Sequence, residues 1–358
     1  MTSNKPSTRL IALYLPQFHP IPENDEWWGK GFTEWTNTAK AKPLFKGHYQ
    51  PHVPADLGFY DLRVSEVRVA QAELAASYGI EGFCYYHYWF AGKQVLERPF
   101  REVLKSGKPD FPFCLCWANE TWTGIWHGAP NRILVEQTYP GEADHRAHFD
   151  TLREAFFDPR YIKVQGKPLF AIYKPMHLPD ANRVTDLWRE MAVQAGLPGL
   201  HLVGMGGYDW NPLDYGFDAS SSRRLPPRKK WVSPLNPIEW LKNLYSTSLD
   251  IPTTYRHADV LDKLMPDEVK SHINYPTVLH AWDNTPRSGK NGLVIHDSSP
   301  ELYGRCLRRA IDLGIGRPLD ERVVFLKSWN EWAEGNHLEP DLKYGHKFLE
   351  IVRQEVFK

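Results

Sequence analysis

Short apolar runs alternate with helix-like segments along almost the whole chain. The strand-like runs are bounded by polar or turn residues and cover residues 10–15, 79–86, 111–117, 168–173, 200–204, 217–220, 277–281 and 323–327. Helical patterns lie between most of them, for example at residues 64–78, 142–156, 184–195 and 301–313. Strands that alternate with helices predict βα units and a parallel sheet. Eight such units predict an α/β fold, a single (β/α)8 TIM barrel.

Two long stretches rich in polar and aromatic residues interrupt this pattern. Residues 16–60 follow the first strand, and residues 221–275 follow the sixth. Barrel enzymes build their sites from loops at the C-terminal ends of the strands, so we predict that both stretches are active-site loops rather than linkers. The second begins with a basic run, residues 223–230, for which a solvated loop and an anion site both remain open. We expect residues 1–358 to form one domain.

Charge and composition exclude several classes of partner. Lys plus Arg and Asp plus Glu each number 43, so no basic field favours nucleic acid or anionic lipid. No run approaches the ~18 apolar residues of a membrane span, and residues 1–6 begin without an apolar signal-peptide core. These patterns predict a cytoplasmic protein with no membrane insertion. The 48 aromatic residues, many beside polar ones, suit a cleft in which rings stack on sugars.

The last strand-like run leads into a loop that carries two carboxylates. Glu331 and Glu334 are three residues apart and are interleaved with Trp329 and Trp332. Cleavage of a glycosidic bond needs one protonated carboxyl group to assist the leaving oxygen and one ionised group to act as base or nucleophile. A solvated acidic turn is the alternative for such spacing. The strand before the loop, the tryptophans and the Asn330 amide favour a catalytic pair.

Polar and aromatic residues also follow four other strands. Repeated at five strand ends, such residues describe a sugar-binding rim. The predicted substrate-binding residues are Tyr14, Trp35, Tyr86, His87, Trp89, Trp117, Asn119, Glu120, Trp282, Asp283, Trp329, Asn330, Trp332 and His337. For His87 and His337 a buried, hydrogen-bonded histidine is an equal alternative. Glu34 could line the first loop or fix it through a salt bridge.

No metal or other cofactor is expected. His48 and His52 are four residues apart, but Pro51 disfavours the helix that would bring both rings to one face. Cys114 and Cys116 flank a single residue, which is not a zinc spacing, and with Cys84 they lie in apolar runs where reduced cysteine behaves as a small hydrophobe.

Long motifs make the chain similar to the WbsX family, whose members are described as glycosyltransferases and as glycoside hydrolase family 99-like. The matching segments are residues 14–20, 27–35, 47–52, 55–63, 82–90, 116–120, 166–170, 282–287 and 330–341. The resemblance covers nearly the whole chain. It implies kinship to endo-α-mannosidases and endo-α-mannanases that share the barrel and use no metal in their chemistry.

The resemblance also implies roles for the two glutamates. The family's essential pair matches Glu331 and Glu334, and the kinship implies retention of configuration through participation of the sugar's 2-hydroxyl. Glu331 would deprotonate that hydroxyl to give a 1,2-anhydro sugar, and Glu334 would protonate the leaving oxygen and then activate water. A two-step route with a carboxylate nucleophile remains open.

Three functions therefore compete. The first is an endo-acting glycoside hydrolase or transglycosylase on α-linked oligosaccharide or polysaccharide chains. The second is a glycosyltransferase in O-antigen or surface-polysaccharide assembly, and the third is a non-catalytic glycan-binding barrel. The sequence has no DxD motif or Rossmann-type nucleotide-sugar domain, which favours the first. A cytoplasmic location would favour the second.

Overall fold

The computed structural model describes residues 5–124, 129–227 and 251–358, with side chains at 129–131 left aside. Within these residues, parallel strands close into a barrel. The strands are β1 Arg9–Tyr14, β2 Gly82–Phe90, β3 Phe113–Trp117, β4 Lys167–Ile172, β5 His201–Gly206, β6 Ala219–Ser222, β7 Ile273–Leu279 and β8 Val323–Lys327. Neighbouring strands follow the order β1-β8-β7-β6-β5-β4-β3-β2, and β2 pairs with β1 to close the barrel. The predicted (β/α)8 TIM barrel is confirmed.

Helices cover the outside of the barrel. They are α1 Ser65–Ser77, α2 Arg98–Ser106, α3 Glu142–Phe157, α4 Ala181–Gln194, α5 His257–Leu264, α6 Pro300–Asp312 and α7 Lys347–Val356. Local sequence fixes where some of them begin: the Asp180 carboxylate accepts a bond from Arg183 N at 3.0 Å, and Ser299 caps α6 just before Pro300. A short 3₁₀ turn, Pro212–Tyr215, stands between β5 and β6.

The barrel strands are buried on both faces. Every residue of β2, β3, β6 and β8 is buried, as a parallel sheet covered by helices requires. All four cysteines are reduced and buried in this apolar interior. None of the helices in the described residues is both long and apolar enough to cross a membrane.

The long loops carry structure of their own. The loop after β1 contains the helices Pro22–Trp28 and Glu34–Lys40. After β6, residues 228–250 lie outside the described residues, and with them part of the basic run at 223–230. The chain then enters a strand, Thr253–Arg256, that pairs with Leu293–His296 and, through it, with Trp282–Asp283. Both stretches begin at the carboxyl ends of barrel strands, β1 and β6, as the sequence predicted.

Smaller elements extend other loops. Lys93–Val95 pairs with the end of β2, Lys163–Val164 pairs with β4, and a hairpin of Trp122–Gly124 and Ala129–Val135 follows β3. The loop after β7 contains the helix Thr285–Ser288 and the 3₁₀ turn Gly289–Asn291, and Leu319–Glu321 forms another turn before β8. None of these short elements follows from the hydrophobic pattern.

Gly82, at the start of β2, offers a test of how tightly the barrel is packed. A β-carbon there would lie 2.3 Å from the carbonyl oxygen of Pro112, which is fixed because it accepts a bond from Phe83 N at 3.0 Å. We expect Gly82→Ala to lower the free energy of unfolding by about 1–3 kcal/mol, the usual cost of overpacking a core. Urea unfolding measures this change.

Gly207 is the matched control for this substitution. An added β-carbon at Gly207 meets no atom within 4 Å, and the residue does not have a positive φ. We expect Gly207→Ala to change the unfolding free energy by less than about 0.5 kcal/mol. Equal stability of the two variants would contradict the close approach of β2 to Pro112.

Candidate active site

A cavity of about 470 Å³ opens at the carboxyl ends of the barrel strands. Aromatic rings form part of its wall, with Tyr86 and Tyr88 from β2 and Trp282 from the loop after β7. Lys327, Glu331 and Glu334 bring charge to it from the end of β8 and the loop that follows. A second cavity of about 340 Å³ shares Tyr173, Arg223, Leu225 and Lys327 with the first, so the two adjoin.

The loop that carries the two glutamates is fixed by backbone and amide hydrogen bonds. The Asn330 side chain accepts a bond from Leu15 N at 2.7 Å and donates one to Leu15 O at 3.0 Å, which ties the loop after β8 to the end of β1. Ser328 Oγ accepts from Glu331 N at 2.8 Å and donates to Asn336 O at 2.6 Å. These bonds fix the backbone from which Glu331 enters the cavity.

Two cations hold three carboxylates in one chain of contacts. Lys327 Nζ contacts Glu331 Oε2 and lies 3.4 Å from Glu334 Oε2. Arg287 Nη1 lies 2.7 Å from Glu334 Oε1, and the same guanidinium is bonded to Glu34. Glu34 is fully buried, and the Glu331, Lys327 and Arg287 side chains are less than 10% exposed. The side chains of the two glutamates are therefore largely buried, 7% exposed for Glu331 and 15% for Glu334.

Burial and the neighbouring cations act in opposite directions on these acids. Burial would raise the pKa of Glu334, but Lys327, Arg287 and Arg223 together bring that pKa below its ordinary value. For Glu34, burial prevails over the stabilising Arg287 and the pKa is raised. For Lys327, burial would lower the pKa, but the charges of Glu331 and Glu334 outweigh burial and raise it. In the unliganded site Glu334 and Lys327 are thus both charged.

A buried layer supports this loop from below. Trp332 stacks on His337, with ring centroids 3.6 Å apart, and its Nε1 donates to Glu339 Oε2 at 2.6 Å. The other Glu339 oxygen accepts from Gln71 Nε2 at 2.6 Å. Burial raises the pKa of Glu339 to about 7 in spite of these donors. Trp332 and His337 therefore stabilise the loop by packing against its buried side, and they do not line the cavity.

Five of the predicted site residues line the first cavity together: Tyr86, Glu120, Trp282, Glu331 and Glu334. Glu120 lies at the rim, where its carboxylate is 3.3 Å from Lys174 Nζ and 44% exposed. The ammonium of Lys327 lies 5.5 Å from the centre of the Trp282 ring and 5.9 Å from that of Tyr86. The aromatic walls thus meet the charged groups directly.

Three predicted residues of the β2 and β3 ends face away from the cavity. His87 Nε2 lies 2.7 Å from His148 Nε2, Trp89 stacks on His148 and donates to Asp144, and Trp117 packs edge-on against His148. His148 and Asp144 belong to α3. The reason is the alternation of side chains along a strand: Tyr86 and Tyr88 face inward, so His87 and Trp89 face the helices. These three do not share the cleft.

The other predicted residues lie beneath the site and are held by partners there. Asp283 is bonded to Gln50 at 2.7 Å, to Thr285 and to His48, which together lower its pKa although burial opposes this. Asn119 bonds the backbone of Lys174 with both ends of its amide. Contacts of the same structural kind hold Tyr14, Trp35, Trp329, Asn330, Trp332 and His337.

The basic side chains of the cavity were not predicted from the sequence. Arg287 lies within the matching segment 282–287, Lys327 ends the last strand-like run, and Arg223 begins the basic run, but none of them was predicted as a site residue. Tyr88 and Tyr173 line the cavity as well. The available signal was position: Lys327, Tyr173 and Arg223 end or directly follow strands, as the predicted residues do.

One group of side chains could hold a metal ion. Potential ligand atoms of His52, His337 and Asp341, all buried, lie within 4.8 Å of one another. His52 Nδ1 and His337 Nε2 are 2.8 Å apart, a distance at which one ring donates a hydrogen bond to the other. His48 lies apart from this group, on Asp283.

Curated relatives extend beyond the present chain. Two proteins described as uncharacterized protein WxcX, from Xanthomonas campestris pv. campestris strains B100 and ATCC 33913, are each 40% identical to it over 96% of its length. The matched region is 49% of each relative, so the chain spans about half the length of the curated relatives it matches.

Solved structures share the fold at low sequence identity. A glycoside hydrolase-like protein aligns with a TM-score of 0.60 at 15% identity, over 99% of this chain and 95% of that one. The GH99 endo-alpha-mannosidase from Bacteroides thetaiotaomicron aligns with a TM-score of 0.56 at 14% identity, over 98% and 96% of the two chains. At such identity the likeness shows the barrel alone.

Family membership follows from the sequence itself. The profile of the family described as glycosyltransferase WbsX matches residues 10–352. That span includes all eight barrel strands except Arg9 and every residue of the charged chain in the cavity. The chain belongs to the WbsX glycosyltransferase family.

Proposed function

We propose that this chain is a carbohydrate-active enzyme that cleaves or transfers α-linked glycans, with Glu331 and Glu334 as its catalytic pair. The observation that carries the proposal is the contact of both carboxylates with Lys327 Nζ in an aromatic-walled cavity at the carboxyl end of the barrel. Barrel enzymes place their chemistry at this end, and aromatic faces bind sugar rings. The endo-alpha-mannosidase with the same fold supports an α-linked substrate.

The spacing of the two carboxylates supports a retaining reaction. Because Glu331 and Glu334 contact one Nζ atom, their Oε2 atoms lie within roughly 6 Å, nearer the ~5–5.5 Å of retaining enzymes than the ~6.5–9.5 Å of inverting ones. In our proposal Glu331 removes the proton of the sugar 2-hydroxyl, whose oxygen attacks the anomeric carbon. Glu334 protonates the departing oxygen and then deprotonates the water or alcohol that attacks C1. The C1–O2 bond breaks as the 1,2-anhydro ring opens, and Glu331 returns its proton to O2.

The acid role of Glu334 requires a change when substrate enters. In the unliganded site the cations Lys327, Arg287 and Arg223 lower its pKa. A bound glycan displaces water from the cavity, and loss of water favours the neutral carboxyl group. During the first step Glu331 gains a proton as Glu334 gives one to the departing oxygen, so Lys327 keeps one ionised carboxylate beside it.

The family description favours a second candidate, a glycosyltransferase that takes its sugar from a nucleotide-sugar donor. Such a transferase could act in surface-polysaccharide assembly. Isothermal titration calorimetry with nucleotide sugars and with α-linked oligosaccharides separates the candidates. Binding of oligosaccharide without nucleotide sugar supports cleavage or transglycosylation, whereas tight binding of nucleotide sugar supports a transferase.

We predict that Glu331→Gln and Glu334→Gln each reduce turnover by roughly 10²–10⁴-fold or more, since each removes a group that moves a proton. Folding should survive, because Lys327 keeps one carboxylate in either variant and Arg287 keeps Glu34 in both. An activated leaving group needs little protonation, so Glu334→Gln should retain the first step on an activated α-glycoside. Glu331→Gln should not. Burst and steady-state kinetics on activated and natural α-glycosides measure both steps.

Glu73→Gln on the exposed side of α1 is the control for these variants, and we expect it to leave turnover unchanged. Calorimetry with a natural glycan shows whether binding persists in the catalytic variants. Full activity in either catalytic variant would contradict the proposed pair. A protein that binds glycans but turns over none would be a binding barrel.

We predict that Arg287→Gln moves one limb of the pH profile of kcat/KM to higher pH. Arg287 helps to lower the pKa of Glu334 and stabilises its ionised form, so removing the guanidinium raises that pKa. The limb of the profile that reports Glu334 should then move to higher pH, and the other limb should not move to lower pH. Kinetics on a natural α-linked glycan, whose leaving oxygen needs protonation, measure the shift across pH 3–9, roughly the range in which carboxyl groups and their partners titrate.

Arg146→Gln is the control for the pH profile. Arg146 pairs with Glu142 on exposed α3, and we expect its removal to leave both limbs in place. An unchanged profile in a folded Arg287→Gln enzyme would show that Glu334 is not one of the titrating groups.

A further inference from the structure

Arg223 occupies the boundary between the two adjoining cavities. It directly follows β6 and lines both of them. Its guanidinium lies 5.6 Å from the centre of the Tyr173 ring and 6.0 Å from that of Trp282, and Nη2 donates to the Tyr173 hydroxyl at 2.7 Å. The Nη1 atom is buried and has no hydrogen-bond partner among the described residues. Two aromatic rings and one phenol thus hold a cation in place.

The other cations of the cavity floor have close carboxylate partners. Lys327 contacts two glutamates, and Arg287 contacts two. Within residues 5–124, 129–227 and 251–358, no carboxylate oxygen lies within the 4.0 Å of an ion pair with Arg223. Removing an arginine from water without a close countercharge is costly, and the group nonetheless stays charged. A ligand that supplies the countercharge would recover this cost.

We propose that Arg223 binds an anionic group of the substrate, a carboxylate or a phosphate, in the second cavity. The inference rests on the proposed glycan chemistry at Glu331 and Glu334, and it narrows the substrate to an acidic sugar or a sugar that carries phosphate. Both groups are planar or forked acceptors that a guanidinium binds through two parallel N–H bonds.

Neighbouring groups of the second cavity fit an anion. The Tyr173 hydroxyl accepts from Arg223, so its own hydrogen is available to the ligand. Lys174 also lines this cavity, 38% exposed, and adds positive charge at the rim although Glu120 lies 3.3 Å from it. A neutral sugar hydroxyl could use one of these donors, but it would leave the guanidinium without a close countercharge.

Binding of an anion would also act on the catalytic pair. Arg223 is one of the cations that lower the pKa of Glu334. An anion that pairs with Arg223 offsets this influence and favours the protonated acid that the proposed reaction requires. An acidic substrate would therefore help to prepare Glu334 for its role, and a neutral substrate of the same shape would not.

Three probes test this inference: methyl α-D-mannoside, methyl α-D-mannosiduronate and α-D-mannose 1-phosphate. Each acidic probe differs from the neutral one at a single position, C6 for the uronate and C1 for the phosphate. Calorimetry with the wild-type chain should show at least one of the acidic probes binding on the order of 10-fold or more tightly than the neutral one. The uronate and the phosphate arms identify which anion is preferred. Arg223→Gln should bring all three affinities within about threefold, the range of ordinary context effects on a contact.

Arg224→Gln is the matched control, since this neighbouring arginine points to Asp267 and is 37% exposed. It should keep the preference for the acidic probe. If Arg223→Gln does not fold, Arg223→Lys keeps the charge and loses the fork, and it should retain a smaller preference.

Three results would overturn the inference: no acidic probe favoured over the neutral one, no binding of any probe, or a preference that survives Arg223→Gln unchanged. The measurement needs no turnover, so it is separate from the test of the catalytic pair. Turnover of neutral glycans without anion preference would leave the proposed function standing. If the wild type prefers the acidic probe but substitution of Glu331 and Glu334 does not change activity, the anion site stands and the proposed catalytic pair is wrong.

Discussion

Buried charge is the constraint on which the rest of this site depends. Glu34, Arg287, Glu334, Lys327 and Glu331 form one chain of contacts in which each cation joins two carboxylates. Each ion costs several kcal/mol to remove from water, so the chain is tolerable only while every member keeps a partner. The members of this chain of contacts come from the loops after the first and seventh strands and from the end of the eighth strand. These three segments must therefore adopt their positions together.

The same arrangement separates the acids by role. Glu34 is enclosed on all sides and faces Arg287, whereas Glu331 and Glu334 reach the cavity. Glu34 therefore fixes the loop through a salt bridge, one of the two alternatives that its sequence left open. Arg287 then transmits this constraint to Glu334, whose carboxylate is held on one side by a guanidinium and on the other by an ammonium.

The fold could be predicted from the sequence because it depends on local pattern. Each of the eight predicted runs overlaps a barrel strand. Even the most polar of them, residues 217–220, shares Ala219 and Ser220 with the strand Ala219–Ser222. The four predicted helices match to within a few residues. Three further helices, Arg98–Ser106, His257–Leu264 and Lys347–Val356, were missed although each is amphipathic, because they are only 8–10 residues long and give few repeats of the pattern.

The site could be predicted less completely, for two physical reasons. Strand ends show which residues are near the cavity, but a one-residue difference decides the face, so Tyr86 lines it while His87 packs on His148. Ion pairs between distant segments leave no local pattern: Glu34 and Arg287 are 253 positions apart. Arg223 combines both difficulties, since it looks like the start of a solvated basic run. Closure of the barrel brings it next to Tyr173 and Trp282, and there its guanidinium lines the cavity in which we propose that the substrate binds.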